Sequence, residues 1–311
     1  LNTMPGASEY ASEFVSWKLG LATTADGKLL AGGTDVGPVA MCYKPELLKA
    51  AGLPTAPEEV AKLWPTWNDY VATGKKFMES KTGPKWVDSA AGLFRAASGT
   101  TGERFTDKAG NFFWETNPAV TDTWKLAVDA IQSGLVTKLT QFTDDWNASF
   151  TADDYATLVC PAWMLTYVKG QAGDKGKGEW SVTNAPGVAN FGGSYLMIPA
   201  ASQHKEEAWE LLKYLTSAEA QAAVFQQAGN MPTNKGALTT IADFKDPYFS
   251  DAPTGAIFSK VLNGMPEQAI GVHDGDADTA LTTALNSVAQ NGTDPAQAWE
   301  DAKKSISAAV G

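Results

Sequence analysis

Two histidines and two cysteines are all that this 311-residue chain offers the softer metals. His204 and His273 stand apart from Cys42 and Cys160, and no CxxC occurs, so a zinc site and a dithiol redox centre both lack ligands. No metal or cofactor is expected. Cations are short as well: 24 Lys and Arg against 35 Asp and Glu leave a net charge of −11. That balance argues against nucleic acid or a phosphate-rich ligand, which need a local excess of positive charge. No run of 18 apolar residues exists to cross a bilayer. Gly-x-Ser-x-Gly, the P-loop and the dinucleotide glycine fingerprint are missing too, which removes the motif-bearing enzyme classes. No signal peptide is present, and an opening Leu1 is compatible with a processed product.

Aromatic residues are plentiful. Eleven Trp and eight Tyr accompany only 19% charged residues. Aromatics fill cores, but their flat faces also pack against the C–H faces of sugar rings, while Asp, Asn and backbone amides take the hydroxyls. A neutral, polyhydroxylated ligand suits that mixture. The length exceeds what one hydrophobic core usually organises, so two lobes are expected.

Strand-like and helix-like segments alternate. Leu29–Tyr43 reads as two strand pieces broken by Gly32, Gly33, Gly37 and Pro38, a hinge candidate. Thr55-x-x-Glu58 and Thr66-x-x-Asp69 read as capping boxes opening two helices. A further helix carries Trp124, Leu126, Ala127 and Ile131 and stops at Gly134. DWNASF (145–150) leads by an Asp153–Asp154 turn into the strand YATLVCPAWM, which ends at Pro161, with Trp146 and Asn147 in a loop before the short helix that feeds it. Lys169–Lys177 reads as a solvated loop, and NFGGSYLMIP as a strand entered through two glycines. Two amphipathic helices come next, the second opened by Thr216-x-x-Glu219 and closed at Gly229, and two more finish the chain. Trp64, Trp67, Trp124, Trp209 and Trp299 sit on helical apolar faces and read as core.

Five blocks in this order carry a resemblance: GGTDVGPVAMCYKPELLKAAGLP, PTWNDY, DWNASF, YATLVCPAWM and the long run from NFGGSYLMIP to GNMPTN. They are similar to the substrate-binding proteins of bacterial ABC sugar importers (extracellular solute-binding protein family 1), and most resemble actinobacterial cello-oligosaccharide-binding lipoproteins. The resemblance implies an α/β, two-lobed, maltose-binding-protein-like fold of type II, in which the N-terminal part of lobe one is absent from this chain. Lobe one then holds residues 1–38 and 192–234, and lobe two 39–191 and 235–311. The strand crossings fall near 37–39, 191–193 and 232–235. It further implies a monomeric, non-catalytic receptor for a cello-oligosaccharide-like sugar. That receptor serves the permease subunits of an ABC importer outside the cell and is lipid-anchored through a segment preceding this chain.

Site residues are assigned from position and from that likeness. Asp35, between Gly33 and Gly37, has either a carboxylate for sugar hydroxyls or a turn to cap. Trp163 comes after a Pro-ended strand, at the strand end where open α/β sheets bind ligands, and family members often carry an aromatic there. Trp146 and Asn147 resemble a loop position that faces sugar. Gly192, Gly193 and Ser194 look like the family's returning strand, where missing side chains expose backbone amides. Arg95 and Asn230 complete the set, with a surface ion pair and a helix-ending turn as their alternatives. Export would favour a disulfide between Cys42 and Cys160 over two buried thiols.

Two rival classes remain. A glycoside hydrolase needs two carboxyls on the order of 5–9 Å apart, and Asp35, Glu115, Asp144 and Asp145 lie near aromatics. A lectin would also be acidic and aromatic-rich, but such proteins are mostly β-sandwiches, which a helix-rich chain does not suit.

Overall fold

Apolar runs without alternation mark strands covered on both faces, and two such runs organise the structure. The computed structural model describes residues 1–311. Its strands are β1 (Ala31–Gly33), β2 (Val39–Tyr43), β3 (Lys85–Val87), β4 (Tyr155–Pro161), β5 (Ser181–Asn184) and β6 (Tyr195–Met197). Four of them form a sheet in the order β3-β4-β2-β5, with β2 antiparallel to both neighbours and β3 parallel to β4. Every residue of β2 and β4 is buried.

Side chains alternate across a strand, and β2 divides its residues between two cores accordingly. Val39, Met41 and Tyr43 enter one core of 34 buried residues, while Ala40 and Cys42 enter a second core of 27 on the opposite face. Cys42 and Cys160 share that second face, their Cα atoms 5.4 Å apart, and form a disulfide. The first core holds a helix Trp67–Glu79 opened by the Thr66/Asp69 capping box. Its Gly74 lies so close to the Trp86 indole that a Cβ there would collide with the ring.

A smaller body stands beside this sheet. It consists of the β1–β6 pair, the short helices of the first twenty residues and the helix Lys205–Leu215. Its core is eight buried residues, with Trp209 and Leu212 against Tyr10 and Phe14. Leu30, Met197, Leu211 and Tyr214 around it are more than half exposed. The helix Ala218–Ala228 belongs to both bodies. Ala222 and Phe225 pack in the 27-residue core, yet Gln221 Nε2 donates to the Gly33 carbonyl at 3.0 Å. The bodies meet where three segments run side by side, with Pro38 bridged to Asn190 and Val36 to Met231. No helix is long and apolar enough to cross a membrane.

Several local expectations need correction. Thr55 caps nothing; the helix Pro57–Ala61 starts after Ala56, because Pro57 at the first helical position pre-sets the turn. Ser217 rather than Thr216 caps Ala218–Ala228, since the Thr216 hydroxyl is used on the Leu212 carbonyl of the preceding helix. Lys169–Ala172 continues the helix that starts at Met164, and a 3-10 turn comes after it. Gly229 does close its helix, in the left-handed conformation at φ 76°.

Candidate functional site

The strand directions aim one edge of the sheet at the gap between the bodies. β3 and β4 run parallel and end there, at Val87 and Pro161, with Asp88 and Trp163 just beyond and the start of β2 at Val39 paired to Pro161. A cleft of about 550 Å³ opens beside this edge. Lys18, Gly192, Gly193 and Tyr195 line it on one side, and Arg95, Arg104, Phe105, Asp274 and Asp278 on the other, with Phe191 between.

Phe191 is clasped. The Trp163 indole nitrogen donates to its carbonyl at 2.7 Å, the two rings meet edge to face at 5.5 Å, and the Arg95 guanidinium lies 5.4 Å over its ring. Arg95 Nε also donates to Asp278 at 2.8 Å, and Arg104 reaches the other oxygen of that carboxylate at 2.8 Å. One carboxylate thus serves two guanidiniums. Burial pulls the Arg104 guanidinium below its ordinary value, and Asp278 opposes the shift.

Gly192 and Gly193 have φ of 93° and 109°, in the region that favours glycine. A Cβ on Gly193 would press on the Asp35 backbone, so the two segments approach here as closely as backbone allows. Asp35 is buried and its carboxylate is already engaged. One oxygen accepts from the Thr34 hydroxyl at 2.8 Å and the Ser194 N–H at 2.9 Å, and the other from the Asn230 amide at 3.3 Å. Asp35, Ser194 and Asn230 therefore form one cluster that ties three segments together behind the cleft wall.

Trp146 corrects the expectation of an open loop position. The helix Asp144–Ala148 turns it inward, fully buried, and its indole donates to the Asp88 carboxylate at 2.9 Å. Asn147 accepts from the Tyr167 hydroxyl at 2.6 Å. Burial pushes the Asp88 carboxyl up to about 6, against hydrogen bonds from Gln141 and Trp146 that favour its charged form.

The residue that sequence reading passed over is Phe142. It is 46% exposed, held at φ 69°, and its ring stands over Trp146 at 5.1 Å and beside Trp163 at 6.2 Å, tilted by 30°. An aromatic in a Thr- and Asp-rich stretch was the available signal. Of the residues expected at the site, Arg95, Gly192 and Gly193 line the cleft, and Trp163 stands directly behind Phe191. Glu115 pairs with Lys303 at 2.6 Å in a separate groove on the outer surface.

Residues 2–253 match the family model for the bacterial extracellular solute-binding proteins. A lactose-binding protein of Rhizobium radiobacter is 26% identical over 288 residues, covering 87% of this chain. This chain spans 65% of that protein's length. A crystal structure of an extracellular solute-binding protein of family 1 superposes with a TM-score of 0.89 at 35% identity, covering 98% of this chain and 79% of the other. A transporter-associated binding protein of B. animalis subsp. lactis, solved with β-1,6-galactobiose, gives 0.78 at 19% identity, covering 97% and 77%. The fold is thus the mixed α/β fold of the maltose-binding-protein kind. With most of its length matched by the family model and nearly all of it by a solved member, the chain belongs to the bacterial extracellular solute-binding proteins.

Proposed function

We propose that the protein is a non-catalytic sugar receptor. It takes an oligosaccharide into the cleft between its two bodies and delivers it to the membrane permease of an ABC importer. The observation that carries this reading is the cleft itself. It combines aromatic faces at Phe191 and Tyr195, donors from two guanidiniums, and glycines at a crossing where the bodies can bend. Such a lining suits a ligand with hydroxyls all round and apolar ring faces.

Residues 1–38 with 192–234 form one lobe and 39–191 with 235–311 the other, the helix Ala218–Ala228 serving as the shared wall. Trp163 and Phe142 extend the aromatic surface beyond Phe191. Asp35, Ser194 and Asn230 set the crossing's geometry, and Asn147 steadies Tyr167 beneath Phe142. The five sequence blocks favour a cello-oligosaccharide. The lactose-binding relative supports a β-galactoside as the second reading. The receptor works outside the cytoplasm as a monomer, lipid-anchored at the cell membrane.

A thermal-shift screen of the full-length protein against cellobiose, cellotriose, xylobiose, maltose, chitobiose and lactose tests the reading, with product analysis after long incubation. The expected result is a raised melting temperature with one class and intact sugar afterwards. Turnover of the sugar would overturn the receptor reading.

A further inference from the structure

Lys18 is a largely buried cation with no oxygen partner inside the chain. The residue is 3% exposed, in the short helix Ser16–Gly20 of the smaller body. Its stem runs along Gly33 and its ammonium sits beside Gly193, where a Cβ on either glycine would crowd it at 3.0 Å. Within the chain the ammonium meets no hydrogen-bond acceptor and no carboxylate at ion-pair distance; what it meets is the face of Tyr195, 3.6 Å from the ring centre. It lines the cleft. With the stem buried and no acceptor inside the chain, the ammonium can draw an acceptor only from the cleft, and a ligand oxygen arriving there supplies one.

We propose that Lys18 is a ligand-contacting, specificity-determining residue, its ammonium taking an acceptor oxygen of the bound sugar, either a hydroxyl or a carboxylate. The inference rests on the oligosaccharide-receptor reading. Charge in the cleft is consistent with it. The lining carries Lys18, Arg95 and Arg104 against Asp274 and Asp278, a local excess of cations on a chain of net charge −11. Both arginines are tied to Asp278, and Asp274 accepts from the Thr106 hydroxyl at 2.6 Å, so Lys18 is the cation without an internal commitment. Asp35, on the adjoining segment, attracts the ammonium from behind but bonds Ser194 and Asn230 instead.

Burial lowers the Lys18 ammonium to about 8, and Asp35 opposes the shift. An oxygen acceptor stabilises the protonated form. Affinity should therefore be level below pH 8 and fall as pH rises above it, where the free protein must first take up a proton. The phenol of Tyr195, the other group against the ammonium, is pushed up to about 12 by burial and does not share that window.

The test measures dissociation constants of the full-length protein for cellobiose, lactose, cellobionate and lactobionate between pH 6.5 and 9.5, in wild type, Lys18→Met and Lys18→Arg. Losing a hydrogen bond to a charged donor costs on the order of tenfold in affinity or more. The expected result is that loss in Lys18→Met at pH 7, no remaining fall above pH 8, and partial rescue by Lys18→Arg. A larger loss for the aldonates than for the neutral sugars identifies a carboxylate as the acceptor, and an equal loss identifies a hydroxyl. Lys18→Met should melt close to wild type, because it keeps the buried stem's packing against Gly33 and Tyr195 and removes only the partly desolvated charge. A folded Lys18→Met protein with wild-type affinity and an unchanged pH profile overturns the inference while leaving the receptor reading intact. Failure of every sugar to bind wild type overturns both.

Discussion

Trp209, Trp146 and Trp163 have different surroundings, and their alanine variants should separate accordingly. Trp209 fills the small core and donates to the Pro5 carbonyl at 2.9 Å, so Trp209→Ala should cost about 3–5 kcal/mol of stability. Trp146→Ala should behave in the same way, for the ring is fully buried against Phe150 and Tyr167. Trp163→Ala and Phe142→Ala should melt closer to wild type and instead weaken sugar binding, Trp163 by about 2 kcal/mol. Melting curves and titration calorimetry on the four variants decide it; a Trp163→Ala protein that melts as early as Trp209→Ala and binds normally would place Trp163 in the core. A second residue-scale effect belongs to Asp88. Its folded carboxyl is raised to about 6 from an ordinary 3.8, so the folded state holds its proton longer than the unfolded state does. Stability should then decline as pH rises from about 4 to 6 and stay lower above, by about 3 kcal/mol at the 1.4 kcal/mol per unit of linkage. Asp88→Asn should lack that decline in denaturant titrations at pH 4.5 and 7.5; an identical pH dependence in the variant would show that Asp88 titrates elsewhere. Trp209 was legible as core, with Leu212 beside it on the buried face, but the sequence pattern of Ala208, Leu211, Leu212 and Leu215 misplaced that face, since Leu211 and Leu215 are exposed. The sequence hid Trp146, because five residues of helix are too short to show a period, and it hid Asp88, whose burial depends on a partner 58 residues away.

Among the elements, β2 and β4 were the most readable. Unbroken apolar runs ended by Pro161 and preceded by Gly37-Pro38 point to covered strands meeting a crossing, and both lie where the runs put them. Pairing was less legible. That β3, three residues long, joins β4 in parallel is set by contacts of Trp86 with Tyr70 and Phe77 on a helix, which no local pattern records. The helix Thr254–Gly264 was passed over for a related reason: Gly255 sits against the Ile241 backbone, an approach invisible in one dimension. The Cys42–Cys160 bond joins neighbouring strands across 118 residues of chain. On the loop-entropy account, closing a loop of that length stabilises by about 4–5 kcal/mol. Thiol counting in denaturant without reductant should find none free, and reduction should lower the denaturation midpoint by a corresponding amount. Free thiols in the untreated protein would contradict the pairing.

At the scale of the whole molecule, the two larger cores share the sheet between them, whereas the smaller body has eight buried residues of its own. Bending at the crossing should bring the bodies together on ligand, as in other hinge closures of this kind. Small-angle scattering should give a smaller radius of gyration at saturating sugar, and an unchanged radius would mark the site as rigid. Calorimetry should show the two large cores unfolding as one unit, because neither can lose β2 without the other. Separate transitions for the two would contradict the shared strand. Hydrogen exchange should be slow throughout β2 and β4. The helix Ala218–Ala228 is packed into the 27-residue core on one side and bonded to the Gly33 carbonyl on the other, so any change in the angle between the bodies has to be taken up along it. The empty and loaded states then differ in how that one helix is held between its two sets of contacts. Any partner that must tell them apart has its information along that helix, on a surface that both bodies touch.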